Sequence, residues 1–209
     1  MSESLSQQAR KNTEELILKG RLKAGTKITE RDLAEKLGMS RAPVREAIKE
    51  LINVGLLDQV SARQIIVKQL GVNEVKEIFC IREMLESKAA ALAASNMTLS
   101  ALETLETLHE TMQQAAFAGK HGDYFDLNIE FHYCIHTAAR SPRLAALIDQ
   151  IMKESLIYRS RILVDQENIR RSLEEHEQLI KSIRAKDCEL TGLLMSRHIY
   201  GGFERLDLL

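Results

Sequence analysis

The sequence predicts a mainly α protein: an N-terminal winged helix-turn-helix (three helices plus a small β-hairpin) followed by an all-α antiparallel helical bundle. Three observations carry this expectation. Only two prolines interrupt 209 residues, and Leu, Ala, Glu and Lys are abundant, a composition of high helix propensity. The stretch Ile28 to Ile48, ITERDLAEKLGMSRAPVREAI, reads as two short helices about a tight turn. From Glu74 onward nothing resembles a strand.

The elements follow in order. Ala9 to Leu18 has helix-like apolar spacing and ends near Gly20, and Lys23 to Thr26 reads as a turn. Thr29 is placed to cap the next helix, with Asp32 three residues on as a variant of the capping box. Leu33 and Leu37 recur at helical spacing until Gly38 breaks the run. Ser40 is the expected cap of the second helix of the motif. Pro43 falls in its first turn, where a missing N–H is tolerated. Val44, Ala47, Ile48 and Leu51 form its buried stripe, which leaves Arg41 and Arg45 one turn apart on the other face, free to reach a base edge or a phosphate. After Gly55, residues 56–60 and 65–67 read as two short strands about a turn at 61–64. Such a wing lies along the DNA backbone or minor groove, and Arg63 is its basic contact.

Gly71-Val72-Asn73 reads as a linker, so the expected domains are 1–70 and 71–209. The stripe Val75, Ile78, Ile81, Met84, Leu85, Ala89, Leu92 and Ala93 predicts a long helix to Asn96. Further helices are expected over 99–118, 124–139 (closed by Ser141-Pro142), 144–163, 169–185 and 187–206, the last bent or frayed at Gly201-Gly202. Connections this short imply antiparallel neighbours.

Charge favours a nucleic-acid partner for the first part. Residues 1–70 hold 13 Lys and Arg against 9 Asp and Glu, and the remainder holds 16 against 21. No apolar run approaches the length of a membrane span, and the first 20 residues lack a secretory h-region. Three scattered cysteines (Cys80, Cys134, Cys188) read as reduced thiols. A cytoplasmic location is the expectation.

Six histidines carry the chemistry of the second part. Asn128 and His132 are four apart and share a helix face. An antiparallel pair turning near Lys186 brings His176 beside His198. Three imidazoles with an amide or carboxylate oxygen suit a divalent ion, Zn²⁺ first and Ni²⁺ or another as alternatives. His136, one turn beyond His132, competes for the same role. His109 and His121 are expected to be exposed. Tyr133, Tyr158, Arg159 and Arg161 are further pocket candidates whose faces spacing does not fix. Glu130 and Glu175 flank two of these residues in sequence but point away from them around the helix, which disfavours either as a catalytic base.

The run from Leu16 to Lys68 resembles the DNA-binding domain of the GntR superfamily of bacterial transcription regulators. APVREA at 42–47 resembles its FadR/VanR-like branch in particular. The resemblance implies operator contacts by Arg31, Ser40, Arg41 and Arg45, although the wing tip carries Ser61-Ala62 where relatives usually have a glycine. The segment from Ile78 to His198 is similar to the FCD domain, through IREMLESKAAALAA, FHYCIHTAARSPRL and EEHEQLIKSIRAKDCELTGLLMSRHI. That resemblance implies a metal held by Asn128, His132, His176 and His198, with Asn standing where Asp is commoner. It also places Arg82 toward an effector cavity, where an Arg fork suits a carboxylate. An ion pair with Glu86 is the plainer role for Arg82.

Together these expectations describe a homodimeric transcription regulator, most often a repressor in this family. It binds a palindromic operator and is modulated by a small carboxylate effector. The rival is a metal-dependent enzyme with an accessory DNA-docking domain.

Overall fold

The computed structural model describes residues 4–18, 21–62, 64–163 and 165–206. These fall into two compact units, Met1–Gly71 and Val72–Leu209.

In the first unit, α1 (Leu5–Leu18) buries Ala9, Thr13 and Ile17 at four-residue intervals and packs on α3 (Arg41–Asn53). Between them lie β1 (Lys27–Ile28) and α2 (Glu30–Leu37). The Thr29 hydroxyl accepts from the Asp32 amide at 3.1 Å, as expected of the cap. Gly38 takes the left-handed conformation (φ 63°) that closes α2, and its N–H reaches back to the Ala34 and Glu35 carbonyls. A Cβ would be disfavoured in that conformation, and this is why a glycine sets the turn. Val44, Ala47, Ile48 and Leu51 are all buried, so the expected stripe of α3 is the one observed.

The wing is β2 (Leu57–Ser61) and β3 (Gln64–Val67), antiparallel, with an irregularity between Gln59 and Ser61. β1 adds a third strand by pairing Lys27 with Ile66 and Ile28 with Ile65. That strand was not expected. Two residues are too few to show alternation, and their partner lies far along the chain. Arg63, the expected wing contact, lies outside the described residues.

The second unit consists, among its described residues, of six helices: α4 (Val72–Asn96), α5 (Leu99–Phe117), α6 (His121–Ala138), α7 (Pro142–Ile162), α8 (Gln166–Arg184) and α9 (Cys188–Glu204). Three details correct the sequence reading. Val72-Asn73 opens α4 and is not a linker. Pro142 is the first residue of α7, a position where a missing N–H costs nothing. α9 runs unbroken through Gly201-Gly202.

α4 lies at the centre of this unit, against α6, α7 and α9. Its buried stripe is Val75, Ile78, Phe79, Arg82, Glu86, Ala89, Ala90, Ala93 and Ala94, whereas Met84, expected inside, is exposed. The helix is therefore rotated so that an Arg and a Glu face inward, which only a polar partner surface permits. The alanines allow α9 to approach closely. A Cβ on Gly192 would stand 3.3 Å from the Ser87 carbonyl oxygen. This close approach sets the inward face of α9 against Arg82 and Glu86.

Candidate DNA interface and metal centre

On α3, Arg41 and Arg45 are exposed, opposite the buried stripe. Arg45 is held by Glu30 of α2 in a two-bond fork, Nε to Oε1 at 2.8 Å and Nη2 to Oε2 at 2.9 Å. That hydrogen bond, against a small opposing effect of burial, lowers the Glu30 pKa. The two acids on α3 itself pair with other residues: Glu46 binds Lys49 at 2.9 Å and Glu50 approaches Arg10 at 3.5 Å. Arg41 makes no ion pair among the described residues. Arg31 is exposed and lies 3.5 Å from Asp32.

Ser40 sits at the N-cap of α3 but makes no side-chain capping bond. The reason is local. A capping hydroxyl accepts from the second or third helical N–H, and the third position is Pro43. The expected cap is thereby corrected, and the Ser40 hydroxyl stays available at the exposed tip of the helix.

In the second unit, α6, α8 and α9 bring His132, His176 and His198 together. One nitrogen of each lies within 4.8 Å of the others, and all three residues are buried. The ring centroids are 5.6 Å apart for His132 and His176, 5.2 Å for His132 and His198, and 4.8 Å for His176 and His198. The side-by-side placement of His176 and His198 follows from the turn at Lys186 (φ 56°), which folds α9 back along α8.

Two carboxylates orient this set. His132 Nδ1 donates to Glu86 Oε2 at 3.0 Å, and His198 Nδ1 donates to Glu175 Oε2 at 2.6 Å. A carboxylate accepts only, so both rings carry a proton on Nδ1 and turn Nε2 into the cluster. Those two Nε2 atoms face each other at 3.2 Å. His176 stacks on Phe131 at 4.2 Å, and both of its buried nitrogens lack a hydrogen-bond partner among the described residues. Two facing Nε2 atoms beside an imidazole with no hydrogen-bond partner among the described residues make a nitrogen set that a soft-to-borderline divalent cation fits.

The electrostatics agree. Burial pushes His132 down to about 3, with Glu86 opposing. Burial, then the charges of His198 and His132, holds His176 well below the ordinary value. Both rings are neutral near pH 7, as ligands must be. Burial acts to raise the Glu86 carboxyl, but Arg82 and the hydrogen bonds from His132 and His136 win and hold it well below the usual range. Glu175 is likewise raised by burial yet brought to about 2 by His198 and Arg205.

Beside the imidazoles is a small cavity of about 30 Å³, walled by Phe79, Arg82, Asn128, His132, Arg159 and His198 among others. Room on that scale admits one or two waters. Arg82 is 2% exposed, bonds Glu86 Oε1 at 2.8 Å and lies 5.0 Å from the Phe79 ring centroid. Its ion pair and its place in the cavity wall are therefore compatible. The Asn128 Oδ1 accepts from Arg159 Nη2 at 2.8 Å, which leaves a second lone pair on the amide oxygen.

Several expectations change here, although His136 keeps its competing role: it is bound to Glu86 (Nε2 to Oε2, 3.1 Å), and Glu86, His132 and His136 form a second buried group that could hold an ion. His109 is buried, its ring bonded to the Leu173 carbonyl, and not exposed as expected. Tyr133 is exposed and Tyr158 buried, while the Arg161 side chain lies outside the described residues. Glu175 does turn away from His176, its neighbour in sequence, yet reaches His198 on the next helix. Arg159, a pocket candidate from the sequence, does line the cavity, whereas Glu86 and Glu175 were not singled out as site residues. Two acids in IREMLE and EEHEQ were visible signals, but their partners lie across helix interfaces.

The comparisons with known proteins decide the family. The model described as bacterial regulatory proteins, gntR family, matches residues 5–67, and the FCD domain model matches residues 77–201. This chain belongs to the GntR family. It is 33% identical over 189 residues to the HTH-type transcriptional regulator McbR of Escherichia coli, covering 89% of this chain and 85% of that one. A second relative, the probable D-xylose utilization operon transcriptional repressor of Paenarthrobacter nicotinovorans, is 30% identical over 187 residues, covering 88% and 80%. The solved structure of Escherichia coli McbR/YncC superposes with a TM-score of 0.77 at 30% identity, covering 98% of each chain. This GntR protein is accordingly a DNA-binding transcription regulator, with an FCD domain as its ligand-binding half. Among the described residues no helix is long and apolar enough to cross a membrane.

Proposed function

We propose that this regulator is a homodimeric repressor that binds a palindromic operator and is controlled by a small carboxylate at a metal site in its FCD domain. Arg31, Ser40, Arg41, Arg45 and Arg63 are the operator contacts. His132, His176 and His198 hold the ion, Zn²⁺ in first place and Ni²⁺ in second, with Asn128 offering its free lone pair. The observation that carries the reading is the pair of carboxylate-oriented Nε2 atoms 3.2 Å apart beside His176, whose nitrogens have no hydrogen-bond partner among the described residues. When bound, the cation supplies a Lewis-acidic centre to which a carboxylate oxygen coordinates. Arg82 flanks that position with a guanidinium suited to the same group.

One winged helix reads one half-site, so a two-fold dimer supplies affinity and specificity together. The cavity is smaller than a metabolite, and an effector must therefore bind a rearranged state more tightly than the one observed. A difference of that kind is what shifts the population away from the DNA-binding form. The enzyme reading gains nothing here, because Glu86 and Glu175 are both engaged in holding imidazoles and neither is free as a base.

The test is operator binding by fluorescence anisotropy, on duplexes selected by the protein itself. Arg41→Ala and Arg45→Ala should each weaken binding by about 1–3 kcal/mol and relax base preference at one position, with the fold intact. Arg45→Ala also frees Glu30, which adds a repelling acid near the phosphates. Unchanged operator affinity in both variants would refute the assignment of the recognition helix.

A further inference from the structure

The charges around the FCD cavity do not balance, and the imbalance lies at one residue. Arg82 is matched by Glu86, and Arg205 by Glu175 at 2.9 Å. Arg159, on α7, is only 5% exposed and lies in the cavity wall. Among the described residues no carboxylate is in ion-pair contact with it, and the one that attracts it, Glu86, is already held by Arg82. The Arg159 Nη2 donates to the amide oxygen of Asn128, and its Nη1 lies 3.5 Å from the Met152 sulfur. An amide accepts the hydrogen bond but returns no charge. A buried guanidinium held in this way is an anion site waiting for its anion.

We propose that Arg159 makes the cavity a receptor for a doubly charged ligand, a short dicarboxylate in preference to a monocarboxylate. The proposal rests on the metal reading above. Three neutral imidazoles and one neutral amide leave the full charge of a divalent cation in place, and Arg159 adds one more. A monocarboxylate cancels one of these three charges, whereas a dicarboxylate cancels two, with one end at the metal and Arg82 and the other at Arg159. In a water-poor cavity this difference is large, because charge is poorly screened there. Arg82 and Arg159 line the same small cavity, so the two carboxylates must sit close together, which favours a short spacer. Asn128 is the selectivity element: an acid at that position would neutralise Arg159 internally and remove the call for the second charge.

The experiment is isothermal titration of the full-length, Zn²⁺-loaded protein with malonate and succinate against acetate and propionate at fixed ionic strength. Metal content is measured before and after each titration. The better dicarboxylate should bind at least about ten-fold more tightly than either monocarboxylate. Asn128→Asp should retain its metal and bring the two classes within about three-fold. Arg159→Met should weaken the dicarboxylate about ten-fold or more while moving the monocarboxylates less than about three-fold, again at unchanged metal content. Should Arg159→Met fold poorly, Arg159→Lys, which keeps the charge without the fork, should keep part of the preference. Equal affinity for both classes in the wild type, or a preference that survives Arg159→Met, overturns the proposal. If the wild type takes up no metal, the metal reading fails separately. Arg159 is then judged in the metal-free protein, where its replacement must still weaken carboxylate binding, and unchanged binding would overturn its role as the anion contact.

Discussion

At the scale of single residues, the site is governed by which nitrogen of each imidazole carries the proton. Glu86 and Glu175 decide that for His132 and His198. Replacing Glu175, which is partly exposed, by Gln should leave the fold standing and lower metal affinity about 10–100-fold, the usual effect of losing such an orienting partner. Equilibrium competition with a chromogenic chelator reads this directly, and unchanged affinity would count against the tautomer argument. Glu86→Gln should in addition cost about 3–5 kcal/mol of stability, because the buried Arg82 loses its only countercharge among the described residues. A pH dependence follows from the same group. Unfolded imidazoles take up protons below about 6.5, while folded His132 resists down to about 3 and His176 resists in the same direction. The unfolded chain therefore binds more protons in that window. Stability is present above 6.5 and is lost as the pH falls, by about 1.4 kcal/mol per pH unit for each histidine kept neutral. Thermal melts of chelator-treated protein between about pH 7.5 and 5.5 should show the melting temperature falling, and a flat profile would contradict the assignment. The sequence made Asn128, His132, His176 and His198 legible through a family resemblance and their spacing. It did not show Glu175 reaching His198, because a contact across two helices depends on how each is rotated about its axis, which spacing along one helix does not encode.

At the scale of elements, most of the helices could be placed from apolar periodicity, caps and glycines, and the recognition helix α3 is the clearest case. The misjudged element is α4. Its expected stripe counted Met84 as core, whereas Arg82 and Glu86 are buried and Met84 is exposed. Periodicity counts apolar side chains, so a helix that buries charges for a functional reason is read with the wrong face inward. β1 was missed because two residues carry no pattern. The spacing of α4 and α9 is what brings Arg82 and Glu86 toward His198, and Gly192 permits that spacing. Gly192→Val should therefore separate the two helices, destabilise the bundle by about 1–3 kcal/mol and weaken metal binding at a distance from every ligand. Chemical denaturation together with metal titration checks this. A destabilised variant with wild-type metal affinity would show that the α4–α9 spacing does not position the site.

At the scale of the whole molecule, the chain joins a DNA-reading unit to a ligand-reading unit, as the gntR-family and FCD matches establish. The DNA unit is assembled from ordinary parts: a buried stripe on α3, a left-handed glycine at the turn, and exposed arginines with one serine hydroxyl left unused by Pro43. The ligand unit holds buried charges, two facing imidazole nitrogens and, among the described residues, an imidazole without a hydrogen-bond partner. A cation would complete that arrangement. Whether His132, His176 and His198 form a metal site is decided by metal content, measured by mass spectrometry on purified protein. About one divalent ion per chain is expected, removable by chelator, restored by Zn²⁺ and lost in His176→Gln, which touches neither orienting carboxylate. Metal-free protein that cannot be loaded, or a His176→Gln variant that retains a full equivalent, would contradict it.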